Sequence, residues 1–505
     1  MEKRAIIFAN FYHGFLKSSS ALRLANELRS DGFEVKQIHH FVHFSDQELE
    51  IIIKDFCKDK DSIVCISTSF LSEDEDRNKN ISPTWGTNSQ GVDIYEKIFH
   101  VCCNAKKYNA KVLIGGWLID ERKMFDYEIR KRWKLNLLEP YVDYFVLGSG
   151  ASTIKKAAAN LEQTVVTRKL VRSDPITDFS NVSTAADITD FINPKESLAF
   201  EIASGCVFSC HFCNFGSLGK KKNEYMRDYQ SLKNELVSNY EKFGTRMYNL
   251  TDNISNDYYE KLKYLVRIKN ETGIDFKWAG YVRLDTIKTK EQADLIIDSG
   301  MVGALMGIES FTPSVGKYIG KMTDKNRLVE ILHLCRESWG DKAIISAMFI
   351  AGLPTETEEQ IIETFNFLTS KEGYHLIDTF KFNKFHLDKE NDNKNEINKA
   401  RNGPFKDYMH DPDVPFGNKW SSPWSDSESM GRLVLKLNQL EHQKTIVTAH
   451  LFAEICNLGY EPEELAKLGR NGIKHWQVRL YEKNIKLFSD YKHKIILDIL
   501  NKKSV

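Results

Sequence analysis

The sequence predicts an α/β protein with two parallel sheets in succession: an N-terminal doubly wound, Rossmann-like sheet, a partial (β/α)6 barrel of the TIM type, and then a helical C-terminal region. Short apolar runs alternate with amphipathic stretches along most of the chain, and right-handed crossovers are nearly the only way to join such strands into a parallel sheet. A turn-rich segment, "EQTVVTRKLVRSDPITDFSNVSTAADITDFINPKE", divides the alternation into a series of five strands and a series of six. At 505 residues the chain exceeds one ordinary domain. The predicted divisions are residues 1–161 for the first sheet, 162–196 for a connector, 197–390 for the barrel, and 391–505 for an irregular segment followed by helices.

The first series opens with the buried strand "RAIIFANF". Ser18 to Ser20 can cap a helix whose apolar face is Ala21, Leu24, Ala25 and Leu28. "FEVKQIHHF", "DSIVCISTSF", "AKVLIGG" and "VDYFVLGSG" supply the remaining strands, with a helix near Asp93 to Tyr108. Such sheets bind ligands at the carboxyl ends of their strands. Gly115, Gly116, Gly148 and Gly150 fall at those ends, where backbone either approaches a ligand or simply turns and caps a helix. The polar stretch "SEDEDRNKNISPTWGTNSQG" exceeds a simple loop and reads as an excursion or a lid.

The second series runs "SLAFEIAS", "RMYNLTDN", "DFKWAGYVRL", "MVGALMGIES", "AIISAMFIAGLP" and "TFKFNKFHL". The helix after its first strand carries Leu232, Leu236, Tyr240 and Phe243 on one face and stops at Gly244. A later helix ends at Gly300, and another faces inward through Ile361, Phe365 and Leu368. Strand-helix units of this kind collect their chemistry in the loops at the carboxyl ends. Beyond the barrel, Met430, Leu433, Val434 and Leu437 begin an amphipathic helix.

Lys plus Arg equals Asp plus Glu at 70 each, which removes a whole-chain electrostatic argument for nucleic acid or an anionic membrane. No stretch offers about 18 uninterrupted apolar residues, so no membrane span is predicted and the expected compartment is the cytoplasm. Thiols stay reduced there, and clustered cysteines read as metal-binding or catalytic. Cys57, Cys65, Cys102, Cys103, Cys335 and Cys456 are scattered in apolar surroundings as fillers.

Cys206, Cys210 and Cys213 are different, crowded into the first barrel loop. A structural zinc site wants four closed ligands, and neither a second cysteine pair nor a nearby histidine pair completes one; His211 is adjacent to Cys210, awkward for joint ligation. A four-iron cluster held by three cysteines leaves one iron open for a small molecule.

"CVFSCHFC", with Phe212 before the third cysteine, resembles the CxxxCxxC signature of the radical S-adenosylmethionine (radical SAM) superfamily. "NLTDN", "YVRLD", "MGIES" and "FIAGLPTETEE" at successive strand ends look like its core. "IGGWLID" and "VLGSGAST" look like the glycine elements of the cobalamin-binding (B12) domain that precedes the core in one subgroup. The resemblance implies that Cys206, Cys210 and Cys213 ligate a [4Fe-4S] cluster whose fourth iron is chelated by S-adenosylmethionine. Reductive cleavage then gives a 5′-deoxyadenosyl radical, with a reductant such as flavodoxin or ferredoxin as partner. It further implies that Phe212 packs near adenine and that Asp252 or Asn253 receives the methionine ammonium. Glu309 and Ser310 would bind ribose, Ala351 and Gly352 would admit adenine, and Arg283 would pair with a carboxylate of cofactor or substrate. The residue-level alternatives are that Asp252 and Asn253 cap a helix and that Arg283 pairs with Asp285 at the surface.

The N-terminal sheet departs from the pattern in two ways. No Asp there is followed two residues later by His, so the DxHxxG element with its lower histidine ligand is absent, and "GSGAS" stands where an acidic element is common, with Trp117 adding bulk after Gly116. Bound cobalamin would suggest methyl transfer; its absence would suggest rearrangement or cyclisation. Two further classes stay open: a nucleic-acid module using Lys220, Lys221, Lys222 and exposed Trp420 and Trp424, and a redox or sensing protein with a fourth cluster ligand.

Overall fold

The computed structural model describes residues 3–10, 16–58, 61–69, 94–116, 119, 135–148, 150–159, 170–172, 179–213, 225–385, 405–410, 419–440, 451–457, 459–461, 463–464 and 480–501. The long polar stretch after the third strand, Trp117 and the three lysines after the cysteines lie outside them.

The first sheet is parallel, with β1 (Arg4–Ala9), β2 (Glu34–His39), β3 (Ser62–Ser67), β4 (Lys111–Gly115), β5 (Tyr144–Leu147) and β6 (Leu170–Arg172) in the order 2-1-3-4-5-6. Winding reverses between β1 and β3, which sends helices to both faces. Ala5, Ile7, Ala9, Ile63, Cys65 and Leu113 pack on the side of helices Ser19–Ser30 and Gly150–Ala159. Their neighbours Ile6, Phe8, Val64, Ile66, Val112 and Ile114 pack towards helices Asp46–Cys57 and Ile94–Lys107. This period of two, buried on both sides, is why these strands read as continuous apolar runs. Ser18 caps the first helix, its hydroxyl accepting from the Ala21 amide. β6 was not expected: it lies in the turn-rich connector, and its three residues, paired along β5, are too few to show a period.

The second sheet contains β7 (Leu198–Phe200), β8 (Met247–Leu250), β9 (Lys277–Tyr281), β10 (Met301–Glu309), β11 (Ile344–Ala351) and β12 (Thr379–Lys384), each parallel to the next in chain order. β7 and β12 are the outer strands among the described residues, so the arrangement is an open arc. Crossover helices cover its outside. On helix Tyr229–Phe243 the buried face is Leu232, Glu235, Leu236 and Asn239, whereas Tyr240 is 41% exposed. The polar pair displaces the expected aromatic because Glu235 binds the buried Arg227 at 2.8 Å and Asn239 accepts from the Ala186 amide at 3.1 Å.

The C-terminal segments close over both units. Helix Ser427–Leu440 packs Met430, Leu433 and Leu437 into the barrel core, and Asn438 exchanges hydrogen bonds with Phe382. Helix Leu451–Cys456 joins a cluster with Met247 and Ile344, the first residues of β8 and β11, and so covers the amino ends of those strands. Helix Leu480–Asn501 returns to the first sheet, where Tyr491, Ile495 and Ile499 enter its core. No helix among the described residues is long and apolar enough to cross a membrane.

Candidate functional site

The cysteine loop begins where β7 ends. Asp252, at the end of β8, accepts from the amides of Ile202 and Ala203 at 2.7 and 3.1 Å through one oxygen and from Lys261 at 3.0 Å through the other. Burial raises its carboxyl pKa, opposed by the Lys261 ammonium and those amides. Asp252 thus fixes the loop entrance, and Asn253 stands half-buried beside it. Arg227 adds a second hold, donating from its side chain to the Glu201 carbonyl at 2.9 Å and from its amide to Ile202.

Cys210 is buried, while Cys206 and Cys213 are half-buried. The Cys213 amide donates to the Cys210 carbonyl at 3.1 Å, a turn that brings the pair round. His211 donates its amide to Ile319, and its Nδ1 lies 2.5 Å from the Tyr318 carbonyl. It therefore tethers the loop to helix Pro313–Ile319. Phe212 packs against the barrel core.

Arg283, beyond the end of β9, is 6% exposed. Its Nη1 donates to Cys210 Sγ at 3.2 Å, its Nε and Nη2 bind Asp285 at 2.6 and 2.8 Å, and its guanidinium stacks on Phe208 at 3.9 Å. Asn256 clamps the Arg283 backbone from both sides at 2.8 and 2.9 Å. The pairing with Asp285 that was expected at the surface is buried, and it aims the guanidinium at a cysteine.

Glu309 closes β10 at φ +69, next to a register shift, and binds Lys321 at 3.0 Å. A glutamate held in the left-handed region at a strand end is strained backbone of the kind that accompanies sites. Ser310 donates to Glu356 and accepts from the Thr312 amide at 2.9 Å. Burial pushes the Glu356 carboxyl up to about 7, against the Ser310 and Thr312 hydroxyls. Its Oε2 is buried with no hydrogen-bond partner among the described residues. Ala351 ends β11 and Gly352 follows it. Gly352 has φ +95, and a Cβ there would lie 2.6 Å from Trp420 Cη2, so the close approach at this glycine is made by an indole. Trp420 is only 3% exposed, contrary to the expectation of an exposed aromatic, because its Nε1 donates to the Phe385 carbonyl and its ring packs on Tyr408.

In the first sheet, Gly115, Gly116, Gly148 and Gly150 converge on one cavity of about 230 Å³. It opens at the strand ends near the β1/β3 switch point, where open parallel sheets take ligands. Gly116 shows why glycine is needed: its φ is +104, and a Cβ would meet the Ser69 amide nitrogen at 2.7 Å. Arg23 also lines this cavity, and its Nη1 lies 3.4 Å from Glu201 Oε2, which joins the cavity to the cysteine loop. Sequence reasoning missed Arg23 and Glu356; each acquires its role through a partner remote in the chain.

The donors fit an iron-sulfur cluster. Three thiols stand on one loop at the carboxyl end of the barrel, with the Arg283 guanidinium on the Cys210 sulfur and the Phe208 backbone amide on that of Cys206. Among the described residues no three His, Cys, Asp or Glu side chains group as ligands of a single ion. A cluster places each thiolate on a different iron, so it does not require that grouping.

Residues 200–368 match the model of the Radical SAM superfamily. The ribosomal protein uS12 methylthiotransferase RimO of Clostridium botulinum is 27% identical over 179 residues, 34% of this chain and 40% of that protein, so the match spans less than half of the relative's length. A solved structure of the radical S-adenosylmethionine methyltransferase TsrM from Kitasatospora setae, with cobalamin and [4Fe-4S] cluster bound, superposes with TM-score 0.61 at 14% identity, over 95% of this chain and 100% of that one. The cobalamin-dependent S-adenosylmethionine radical enzyme OxsB superposes with TM-score 0.55 at 13% identity, over 99% of this chain and 81% of that one. These likenesses extend the shared fold over both sheets.

Proposed function

We propose that this chain, whose residues 200–368 match the Radical SAM superfamily model, is a radical SAM enzyme and a cobalamin-dependent methyltransferase. The observation that carries the reading is the pairing of two sites in one fold: a three-cysteine loop at the barrel mouth and a glycine-lined cavity at the strand ends of the preceding sheet. Cys206, Cys210 and Cys213 would hold the [4Fe-4S] cluster, and Gly115, Gly116, Gly148 and Gly150 would let cobalamin approach the first sheet. When bound, the cluster supplies the electron for reductive cleavage of S-adenosylmethionine, and cobalamin supplies a methyl carrier.

The chain's own residues bind, orient and exclude water. Arg283 donates to Cys210 and fixes the loop's second ligand. Asp252 and Arg227 hold the loop entrance still. Ser310, Glu309 and the Glu356 oxygen that has no partner among the described residues offer polar groups at the ends of β10 and β11 for the adenosyl moiety. Trp420, Tyr408 and Phe385 pack over Gly352 and keep that edge dry. An external one-electron donor of the flavodoxin or ferredoxin kind would serve the cluster.

The test is anaerobic reconstitution with iron, sulfide and hydroxocobalamin, followed by gel filtration. Retained corrinoid absorbance is expected and, after an added low-potential reductant has taken the bound corrinoid from cobalt(III) to cobalt(I), passage of an isotopically labelled methyl group from S-adenosylmethionine to it, leaving S-adenosylhomocysteine. Loss of all corrinoid from a protein with an intact cluster would contradict the cobalamin reading and favour rearrangement or cyclisation.

A further inference from the structure

We propose that Arg23 is the anion anchor of the N-terminal cavity, reading the phosphodiester of a corrinoid's nucleotide tail in competition with Glu201. The inference rests on the cobalamin reading above and adds to it a residue, a chemical group and a link to the cysteine loop.

Arg23 projects from helix Ser19–Ser30 and is the one formally charged side chain among the described residues that line the cavity. Its surroundings there are hydroxyls of Ser20, Ser67 and Ser69, glycine backbone and apolar side chains. Its Nη1 is buried and makes no hydrogen bond among the described residues. Glu201 lies 3.4 Å away, within ion-pair range but well outside the ~2.7–2.9 Å of a charge-assisted hydrogen bond. The guanidinium is oriented by the Phe179 ring, 5.2 Å from its centre.

A half-buried guanidinium whose Nη1 is shut off from water and faces a slack partner leaves the desolvation of that nitrogen without a full return. A phosphate oxygen entering the cavity would complete its hydrogen bonding, and a phosphodiester carries one negative charge for this one cation. The serine hydroxyls and glycine amides suit the remaining oxygens. Glu201 holds the guanidinium until then. It stands between β7 and Cys206, so the ligand that captures Arg23 also releases a side chain of the cysteine loop.

The probes are hydroxocobalamin and cobinamide, which keeps the corrin ring but lacks the nucleotide tail and its phosphodiester. Each is titrated into the full chain and followed by visible absorbance, with thermal melts of every variant. The wild-type chain should prefer hydroxocobalamin. Arg23→Gln should weaken hydroxocobalamin on the order of 10- to 100-fold and leave cobinamide unchanged, the size of a lost charge-assisted bond. Arg23→Lys should recover part of the loss, and Glu201→Gln should tighten hydroxocobalamin alone. Equal weakening of both corrinoids in Arg23→Gln, or of neither, overturns the inference while the cobalamin reading stands. A wild-type chain that binds neither corrinoid removes that reading and the inference with it.

Discussion

Single residues set the geometry of both sites. Arg283 shares its guanidinium between Asp285, Phe208 and Cys210, so with Cys210 as a cluster ligand, as proposed, it would act on the cluster through that residue. Arg283→Gln should therefore weaken retention of iron against a chelator about 10- to 100-fold, as outer partners of metal ligands do, and move the cluster potential to a more negative value by EPR titration. An unchanged potential with weaker S-adenosylmethionine binding would instead return Arg283 to a carboxylate-binding role. Thr355 shows strain of another kind, a β-branched residue at φ +68 in the loop after β11. Thr355→Gly should raise stability by about 1 kcal/mol by denaturant melts, because left-handed backbone penalises every side chain. The grouping of the three cysteines on one loop was legible because their spacing is local. Arg283 was singled out, but its contact with Cys210 was not legible, since it depends on how β9 meets the first barrel loop.

At the scale of elements, the end of β2 and the turn after it concentrate histidines: His39 and His40 are buried and His43 is half-buried. Burial lowers His39 strongly, holds His40 at about 3 and holds His43 at about 4, with Lys17 and His43 adding to the effect on His40 and Lys492 to that on His43. These rings stay neutral in the fold and protonate in the unfolded chain below its value of about 6.5. The unfolded state then binds more protons, so each histidine removes about 1.4 kcal/mol of stability per pH unit as the pH falls below that value. Glu356, raised to about 7, works in the opposite sense between about 7 and its ordinary carboxylate range. Burial also raises the Asp252 and Glu201 carboxyls, which oppose the histidines in the same sense as Glu356, so the test is differential: in urea melts at pH 7.5 and pH 5.5, His43→Gln should lose less stability on acidification than the wild-type chain, by one proton's share of the slope. The strands themselves were legible from apolar runs and crossover logic. Tyr240 was misplaced because a helical period ranks an aromatic above Glu235 and Asn239, whose burial depends on Arg227 and Ala186.

At the scale of the whole molecule, the two sheets are joined by buried charge. Lys17, in the segment between β1 and its helix, pairs with Glu196 just before β7, and their side chains are 0% and 2% exposed. Glu196→Gln should cost about 3–5 kcal/mol, because the buried ammonium loses its carboxylate; a change under about 1 kcal/mol would mean that the pair is solvated in solution. The overall plan was legible, since a parallel sheet followed by strand-helix units admits few topologies. The return of helix Leu480–Asn501 to the first sheet was not, because an amphipathic face does not name its partner. The cysteine loop is the part of the molecule on which the proposed chemistry depends. The most direct test of that chemistry is 5′-deoxyadenosine release from S-adenosylmethionine by the reconstituted, reduced protein, measured beside Cys206→Ala, Cys210→Ala and Cys213→Ala. Release by the wild-type chain and none by the three variants is predicted; a fully loaded cluster with S-adenosylmethionine bound and no cleavage would contradict it.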